Sequence, residues 1–537
     1  MSAQLALALS TAIVVGAVGA VGAANRADRT LHSDANVGAF QVTRIALSLD
    51  ADFTWQQLRG TAVLTVRRLD PRADQLILDT RGLRIFAVDE LSHATFGATE
   101  KLAPFWVSRP FRLGVPDPVD GTPLIIDMPR SDVADVSLRI EYQTAPRAPG
   151  LNWTTARAGG GGPRIFYAVS EPFGARSWIP LQDTPRAHTT VVLHLHTPSD
   201  MVVLLSGATG PPQHHEESIS KRAADHWLWT AGPMQPSQLD LVVGDLKFAA
   251  IDARSGVFAV GWSARGPARV LRDYPAVRRA GDRLLGLRAG APRDFVVMPD
   301  GFPYRSLAAP GLTLLSPTLL ERVPHRVPLA ARLPFAAAAA AVLPAGRGDG
   351  WIGQAFAAYA ESRITASLYG EQDAAVLDTL AYLELQHSLA ASPRRELVLD
   401  RARPARAPIA GVGTLRAEKG RLLFEYLAAS IGRQRFDELA RDWYARFAGQ
   451  AVTTELFARF LARRLNDVAP GAVRRDRLED WLRNPGLPSA AVLPEAGTLR
   501  AIDDARNAWL AGRMTAAGMK ARRWPAEDWC YFLEGLP

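Results

Sequence analysis

The spacing of apolar residues changes once along this chain, from alternation to helical spacing. This change limits the possible folds more than any other feature of the sequence. Apolar and polar residues alternate in early runs such as "QLRGTAVLTVRRL" (57–69) and "DVSLRIEY" (135–142), as they do in half-buried strands. After about residue 265 the apolar residues recur at helical spacing, as in "WIGQAFAAYAESRITASLYG" (351–370). Because 537 residues are too many for one hydrophobic core, we predict a multidomain α+β protein.

The change of period and the proline-rich stretches indicate the domain boundaries. Residues 40–246 are predicted to form an antiparallel β domain, and residues 247–470 a mixed domain with strand patterns between helical ones. Residues 471–497 contain "NPGLPSAAVLPEAG" and are interpreted as a linker. The last segment, 498–537, is predicted to be helical and is too short for a core of its own. Further helices are predicted at 269–290, 374–390 and 418–432.

The N-terminal segment from Leu5 to Ala24 has twenty residues without a charge and ends in small residues that suit signal cleavage. It therefore predicts a signal peptide and export, to the periplasm or the cell exterior. No Lys or Arg precedes it, and twenty apolar residues also suffice to span a bilayer. An uncleaved anchor is the alternative, and only then would the membrane be a partner.

The distribution of basic residues argues against a nucleic-acid-binding protein, and the single cysteine excludes a disulfide-stabilised one. The net charge is +8, but only five of the 62 basic residues are lysine and the arginines are scattered. Since no basic stripe is interleaved with aromatic residues, we expect no nucleic-acid partner. Cys530 is the only cysteine, so no intrachain disulfide can form.

Two further motifs have chemical interpretations. The "GGGGP" at 159–163 lacks the lysine and the strand-to-helix context of a phosphate loop, so it predicts a flexible loop or hairpin. His194 and His196 alternate along one strand, and "HHEE" (214–217) follows. These residues suit either a zinc cluster or a solvated strand and loop.

Three passages together resemble a known family. They are "ARSWIPLQDTP" (175–185), "FPYRSLAAPGLTLLSPTLL" (302–320) and "EDWLRNPGLP" (479–488). In this order they are similar to the gluzincin zinc aminopeptidases of the membrane-alanyl aminopeptidase type, in the branch of leukotriene hydrolase and aminopeptidase B. The resemblance runs from about residue 40 to the end. It implies a saddle-shaped β domain, a thermolysin-like domain, a helical C-terminal part, a zinc cofactor and removal of N-terminal residues from peptides.

The resemblance also assigns the family's zinc ligands to positions in this chain. Members hold zinc with two histidines one helical turn apart and a glutamate from the next helix. The histidine positions match Ala331 and Phe335, and the glutamate position matches Gln354. The stretch "FAAAAAAVL" (335–343) still favours a helix, which we expect to begin or kink near Pro334.

Other site positions of the family are assigned in the same way. The general base matches Arg332, the amine-binding glutamate of the "G-x-M-E-N" loop matches Ala308, and the oxyanion tyrosine before "EKG" matches Ala417. Glu171 matches a position that contacts the substrate amine in the family, although a solvated loop carboxylate is an equal interpretation.

These assignments predict a pseudopeptidase without a cofactor, which binds peptides or a protein partner and does not hydrolyse them. The alternative from the enzyme class is an active metal-dependent aminopeptidase with ligands that the sequence does not identify. A third hypothesis is a decaying copy with no selected role.

Overall fold

The computed structural model describes residues 33–93, 104–154, 164–171, 173–219, 222–260, 263–287, 293–320, 325–333, 335, 341–346, 348–391, 398–400 and 412–537. The predicted signal segment (5–24), the "GGGGP" motif and Pro334 lie outside these residues. In the described part of the chain, no helix is long and apolar enough to cross a membrane. The described residues fall into two compact units, whose boundary lies between Gly244 and Asp245.

The first unit is built from strands. Its strands are β1 (Phe40–Asp52), β2 (Gln57–Arg68), β3 (Gln75–Thr80), β4 (Arg84–His93), β5 (Pro104–Ser108), β6 (Phe111–Leu113), β7 (Thr122–Asp127), β8 (Asp135–Gln143), β9 (Leu151–Thr154), β10 (Ile165–Ala168), β11 (Thr189–Pro198), β12 (Val202–Leu205), β13 (Gln213–Ile219), β14 (Arg222–Met234) and β15 (Leu241–Gly244). Within the described residues, the largest sheet has the order β13-β14-β11-β1-β2-β8-β4-β5. Two smaller sheets have the orders β12-β15-β10-β9 and β3-β7-β6.

Strand β2 shows why the sequence predicted this sheet. It pairs antiparallel with β1 and β8, and its alternate residues Ala62, Leu64 and Val66 are fully buried, as a period of two requires. One pair departs from the predicted antiparallel arrangement, since β1 and β11 run parallel. A parallel pair needs a long crossover, and the chain between these two strands supplies it.

The passage 175–185 holds parts of the first unit together. Arg176 is fully buried, and its Nε and Nη2 donate to Asp183 Oδ2 and O at 2.8 and 2.9 Å. Gln182 accepts from the backbone N–H of Val42 and donates to the carbonyl of Phe40. Because removing one partner of a buried ion pair is costly, these residues have a structural role in this chain.

The second unit is mixed. Its strands are β16 (Leu246–Asp252), β17 (Ser255–Val260), β18 (Arg293–Val297), β19 (Ser306–Ala309), β20 (Leu312–Leu315), β21 (Leu343–Pro344) and β22 (Ala451–Val452). Its helices are α1 (Arg265–Val270), α2 (Tyr274–Leu285), α3 (Trp351–Tyr369), α4 (Glu371–Ala391), α5 (Val412–Ile431), α6 (Arg433–Phe447), α7 (Thr454–Val468), α8 (Arg475–Arg483), α9 (Arg500–Leu510) and α10 (Ala526–Glu534). The main sheet has the order β16-β17-β18-β20-β19, and only its outer pairs are antiparallel.

The helices follow the predicted periodicity with two differences. The single helix predicted at 269–290 is wrong, because α1 ends at Val270 and α2 starts at Tyr274. Pro275 follows at once, and a proline fits only the first turn of a helix. The stretch 471–497, which was interpreted as a linker, contains α8, whose Trp481 is fully buried in the core.

The "EKG" tripeptide lies where α5 packs on α3 and α8. A Cβ atom on Gly420 would lie 2.6 Å from Ala355 Cβ and 2.8 Å from a ring atom of Trp351, so the close approach requires glycine. Lys419 is fully buried, and its Nζ donates to the carbonyl of Asn484 at 2.6 Å. The "EKG" tripeptide and the passage 479–488 are thus joined by direct contact.

Candidate active site

Two of the positions matched to zinc ligands lie in the apolar core of the second unit. Ala331 ends the buried part of a short 3-10 helix (Leu329–Arg332) that contacts α3. Ala331 and Phe335 are both buried in the same core as Phe356 of α3. The Phe335 ring lies directly against Gly281 of α2, where an added Cβ would approach it to 2.3 Å. Both side chains therefore act as core packing.

The third matched position, Gln354, is half-buried in the first turn of α3. A helix is expected to begin or kink near Pro334, and the structure describes the backbone directly before that residue. There the backbone leaves the 3-10 helix at Arg332, and Leu333 is extended with φ −83° and ψ 132°. A residue before proline avoids helical ψ because its backbone would clash with the ring. Residues 336–340 lie outside the described part of the chain.

Arg332, at the position matched to the general base, is part of an ion-pair cluster. Its Nη1 donates to His325 Nδ1 at 2.6 Å and lies 3.2 Å from Glu527 Oε1. Only 1% of the Glu527 side chain is exposed. Burial lowers the pKa of Arg332 from its ordinary value, whereas the adjacent Glu527 acts to raise it. An arginine remains protonated in proteins, so this position holds a positive charge.

The first turn of α10 supplies the carboxylates of this cluster. Glu527 Oε2 accepts from the backbone N–H of Arg326 at 3.1 Å. The Arg326 guanidinium donates to both oxygens of Asp528, at 2.7 and 2.9 Å. Asp373 at the start of α4 lies 3.4 Å from the same guanidinium. The segment 325–332 is therefore attached to α10 by charge-assisted hydrogen bonds, which are the strong class.

A second group of buried charges joins α3, α4 and α5. Arg421 Nε donates to both oxygens of Glu418, at 2.9 and 3.0 Å, and Arg421 lies 3.4 Å from Asp378. Ser362 donates to Asp378 at 2.7 Å. Such a network satisfies charges that α-helices bring into the core.

Glu361, one residue before Ser362, interacts electrostatically with Arg332 and Arg305, although none of the matched motifs includes it. Burial raises the pKa of Glu361 from 4.5 to about 8, nearby Asp378 adds to the rise, and Arg305 and Arg332 oppose it. The residue as a whole is half-buried, and protein atoms surround its carboxyl group closely enough to remove most of its hydration. A signal was present, because Glu361 follows Gln354 by seven residues and helical residues at this spacing share a face.

The remaining matched positions carry small side chains. Ala308 is exposed on β19, the edge strand of the sheet, where it pairs with Thr313 of β20. Ala417 is half-buried on α5, next to Glu418 of the buried network. Neither side chain has a donor or acceptor atom.

Glu171 lies in the first unit, just beyond β10. Its side chain is exposed, but the protein atoms that crowd it raise its pKa by desolvation. The neighbouring Asp240 is buried and accepts from the backbone N–H of Ser170 at 2.9 Å. Burial raises the pKa of Asp240 to about 7, and the charge of Glu171 adds to this rise. These two carboxyl groups therefore interact with each other.

The histidines of the first unit form pairs across strands. His196 Nδ1 lies 2.8 Å from Asp50 Oδ1, and the rings of His196 and His226 are 4.1 Å apart. His214 lies against the ring of Trp227. The side chains of 215–217 are outside the described part. Within the described residues, no group of three or more His, Cys, Asp or Glu side chains is placed to hold a metal ion.

The strand-built first unit and the mixed second unit with its buried helical core resemble the fold of solved M1 zinc metallopeptidases. Residues 40–231 match the model of the Peptidase M1 N-terminal domain. Leukotriene A-4 hydrolase of Xenopus laevis is 26% identical over 470 residues, which cover 85% of this chain and 73% of that protein. Leucine aminopeptidase 2 of Yarrowia lipolytica is 24% identical over 474 residues, which cover 85% of this chain and 69% of that protein.

Solved structures agree at the level of the fold. The structure of yeast LTA4 hydrolase in complex with Bestatin superimposes with a TM-score of 0.76 at 20% identity, covering 94% of this chain and 79% of that one. The M1 zinc metallopeptidase from Deinococcus radiodurans superimposes with a TM-score of 0.59 at 19% identity, covering 86% of this chain and 96% of that one. These likenesses support the resemblance to the gluzincin M1 family that the three passages predicted.

Proposed function

We propose that this chain is a non-catalytic M1 family member that binds a peptide or a protein partner. The arrangement around Arg332 carries the proposal. A guanidinium stands at the position matched to the general base, and the buried carboxylate of Glu527 accompanies it at 3.2 Å. An arginine cannot take up a further proton, so it cannot act as the base that activates water.

The residues at the three ligand positions do not fit zinc. Protein zinc sites use histidine nitrogen, cysteine sulfur or carboxylate oxygen. Ala331 and Phe335 have none of these atoms, and Gln354 has one neutral amide oxygen. The charge of Arg332 would in addition repel a dication. We therefore derive no catalytic step through a metal at these positions.

Peptide binding is supported by Glu171. The resemblance assigns this position to a residue that contacts the substrate amine, and a carboxylate is present there in this chain. Its exposure leaves it accessible to a ligand. An ionised Glu171 would attract the ammonium group of a peptide N-terminus. Under the proposal this activity lies outside the cytoplasm, because residues 5–24 have the pattern of an export signal.

Hydrolysis of aminoacyl anilides by the purified full chain tests the proposal. We expect rates equal to buffer, with or without added Zn²⁺ and with chelator. Restoring Gln354→Glu alone should not change this, because one carboxylate cannot replace three ligands and a base. The combined variant Ala331→His, Arg332→Glu, Phe335→His and Gln354→Glu should bind zinc at one ion per chain, provided that circular dichroism shows it to be folded.

Metal analysis of the same purified protein distinguishes this proposal from an active metal-dependent aminopeptidase. Stoichiometric metal in the unmodified protein, together with chelator-sensitive turnover, would establish an active aminopeptidase with other ligands and would overturn the proposal. Recovery of an intact peptide from its complex with the unmodified protein would support a binding role.

A further inference from the structure

Apolar side chains of α9 and α10 meet at the surface of the second unit. Trp509 and Leu510 of α9 are 37% and 48% exposed, and Trp529 and Leu533 of α10 are 38% and 57% exposed. We call these four residues the terminal patch. The rings of Trp509 and Trp529 lie 5.9 and 6.0 Å from the ring of the buried Phe532. The two helices therefore contribute to one patch, because both tryptophans contact the same ring.

Four cations lie in the connection between these helices. No Asp or Glu occurs from residue 505 to 526. The exposed basic residues of the connection are Arg513, Lys520, Arg522 and Arg523. Within the described part of the chain, none of the four has a carboxylate partner. A 3-10 helix, Ala521–Arg523, brings the last two directly before Trp524, whose ring lies 5.3 Å from that of Trp529.

The chemistry of these residues selects the ligand. Single exposed apolar residues are ordinary, whereas tryptophan, leucine and unpaired arginine together are typical of proteins that lie on a lipid surface. Indole rings favour the headgroup region, aliphatic side chains insert below it, and arginines are attracted to anionic headgroups. A nucleic acid would satisfy the cations but would leave Leu510 and Leu533 in water.

We propose that the terminal patch and its flanking cations dock the protein on an anionic bilayer surface without crossing it. The N-terminal segment supports a lipid ligand, because both predictions for residues 5–24, a signal and an anchor, bring the chain to a membrane. The proposal concerns the exposed side chains of α10, whereas Glu527 and Asp528 of the same helix are buried against Arg326 and Arg332. It goes beyond the proposed function.

Co-sedimentation of the full chain with vesicles tests this docking. One set of vesicles contains phosphatidylcholine alone, and the other contains about one third phosphatidylglycerol, whose charge attracts arginine. We expect the chain to bind the anionic set more tightly, and less tightly as salt is added. The uncharged segment 5–24 should partition equally into both sets, so the preference between them reports the cations.

Charge reversal identifies the residues. The double variant Arg522→Glu, Arg523→Glu should lower the affinity for anionic vesicles by about tenfold or more, since each basic residue near the surface contributes. The matched control is Arg265→Glu, Arg269→Glu on α1, where both residues are exposed and have no carboxylate partner among the described residues. The control should keep the preference for anionic vesicles.

Removal of the apolar side chains completes the test. Trp529→Ser with Leu533→Ser should weaken binding even at high salt, whereas Trp55→Ser in the first unit, where the side chain is 67% exposed, should not. Equal binding to both vesicle sets would overturn the proposal. An equal loss of vesicle binding in a patch variant and in its matched control would also overturn it. Binding of duplex DNA or an acidic protein through Arg522 and Arg523, without a preference for anionic vesicles, would overturn it as well.

Discussion

At the residue scale, Glu361 shows how packing changes the chemistry of a side chain. Helix α3 carries it into a region where burial and Asp378 favour its neutral form. With a pKa of about 8 in the folded chain and 4.5 as its ordinary value, the carboxyl group is largely protonated near pH 7 in the folded state. The unfolded chain has released that proton, so folding takes up a proton at this position.

This proton uptake gives a prediction for the pH dependence of stability. Between pH 4.5 and about 8 the folded state binds more protons at Glu361 than the unfolded state, so the free energy of unfolding falls as pH rises. The slope from this group is at most about 1.4 kcal/mol per pH unit. Glu361→Gln should remove that contribution in urea unfolding measured from pH 5 to 8.

A matched variant controls for the loss of a carboxylate. Glu384→Gln changes an exposed residue of α4 and should leave the pH dependence as in the unmodified chain. Identical pH slopes for the unmodified chain and Glu361→Gln would contradict the assignment.

At the element scale, α10 is attached to the segment 325–332 by the acids of its first turn. Acidic residues are favourable at a helix N-terminus, and here Asp528 and Glu527 also form ion pairs with Arg326 and Arg332. The local helix signal and the long-range ion pairs therefore favour the same placement of α10.

Removing one of these carboxylates should destabilise the second unit. Glu527→Gln leaves the largely buried Arg332 without its countercharge, and breaking a buried pair in this way costs about 3 kcal/mol. Glu534→Gln on the same helix provides the control, because its pair with His387 is largely exposed and should contribute less than about 1 kcal/mol. Equal effects of the two variants in urea unfolding would show that the cluster around Arg332 is not a stabilising one.

At the scale of the whole molecule, the first unit has a hydrophobic core of its own. Among the residues that the structure describes, those buried in that core run from Phe40 to Val243 and include none of the second unit. The ion pair of Arg176 and Asp183 also lies entirely within it. A domain with its own core can in principle fold alone.

We therefore expect a fragment of residues 33–244 to fold by itself. It should show β-sheet circular dichroism and a cooperative thermal transition. The same fragment with Leu64→Asp, which places a charge at a fully buried position, should be unfolded. A fragment that resembles this control would show that the first unit depends on the rest of the chain.

Sequence patterns alone predicted many of the elements and the resemblance to the M1 family. Alternation identified β2 and β8, and helical spacing identified α3, α4 and α5, because both patterns depend on which face of a local element is buried. The passages 175–185, 302–320 and 479–488 correctly indicated the M1 family. The residue types at Ala331, Phe335 and Gln354 also come from sequence, and with them the prediction that catalysis is absent.

The packing of the elements sets which distant residues meet and how they ionise. Periodicity does not specify strand partners, so the parallel pair of β1 and β11 was missed. Arg332 and Glu527 lie almost two hundred residues apart in the chain and 3.2 Å apart in space. The pKa of Glu361 depends on desolvation by α3 and its neighbours and on the charge of Asp378. These properties arise from contacts between elements, because hydration and Coulomb energies depend on spatial rather than sequence neighbours.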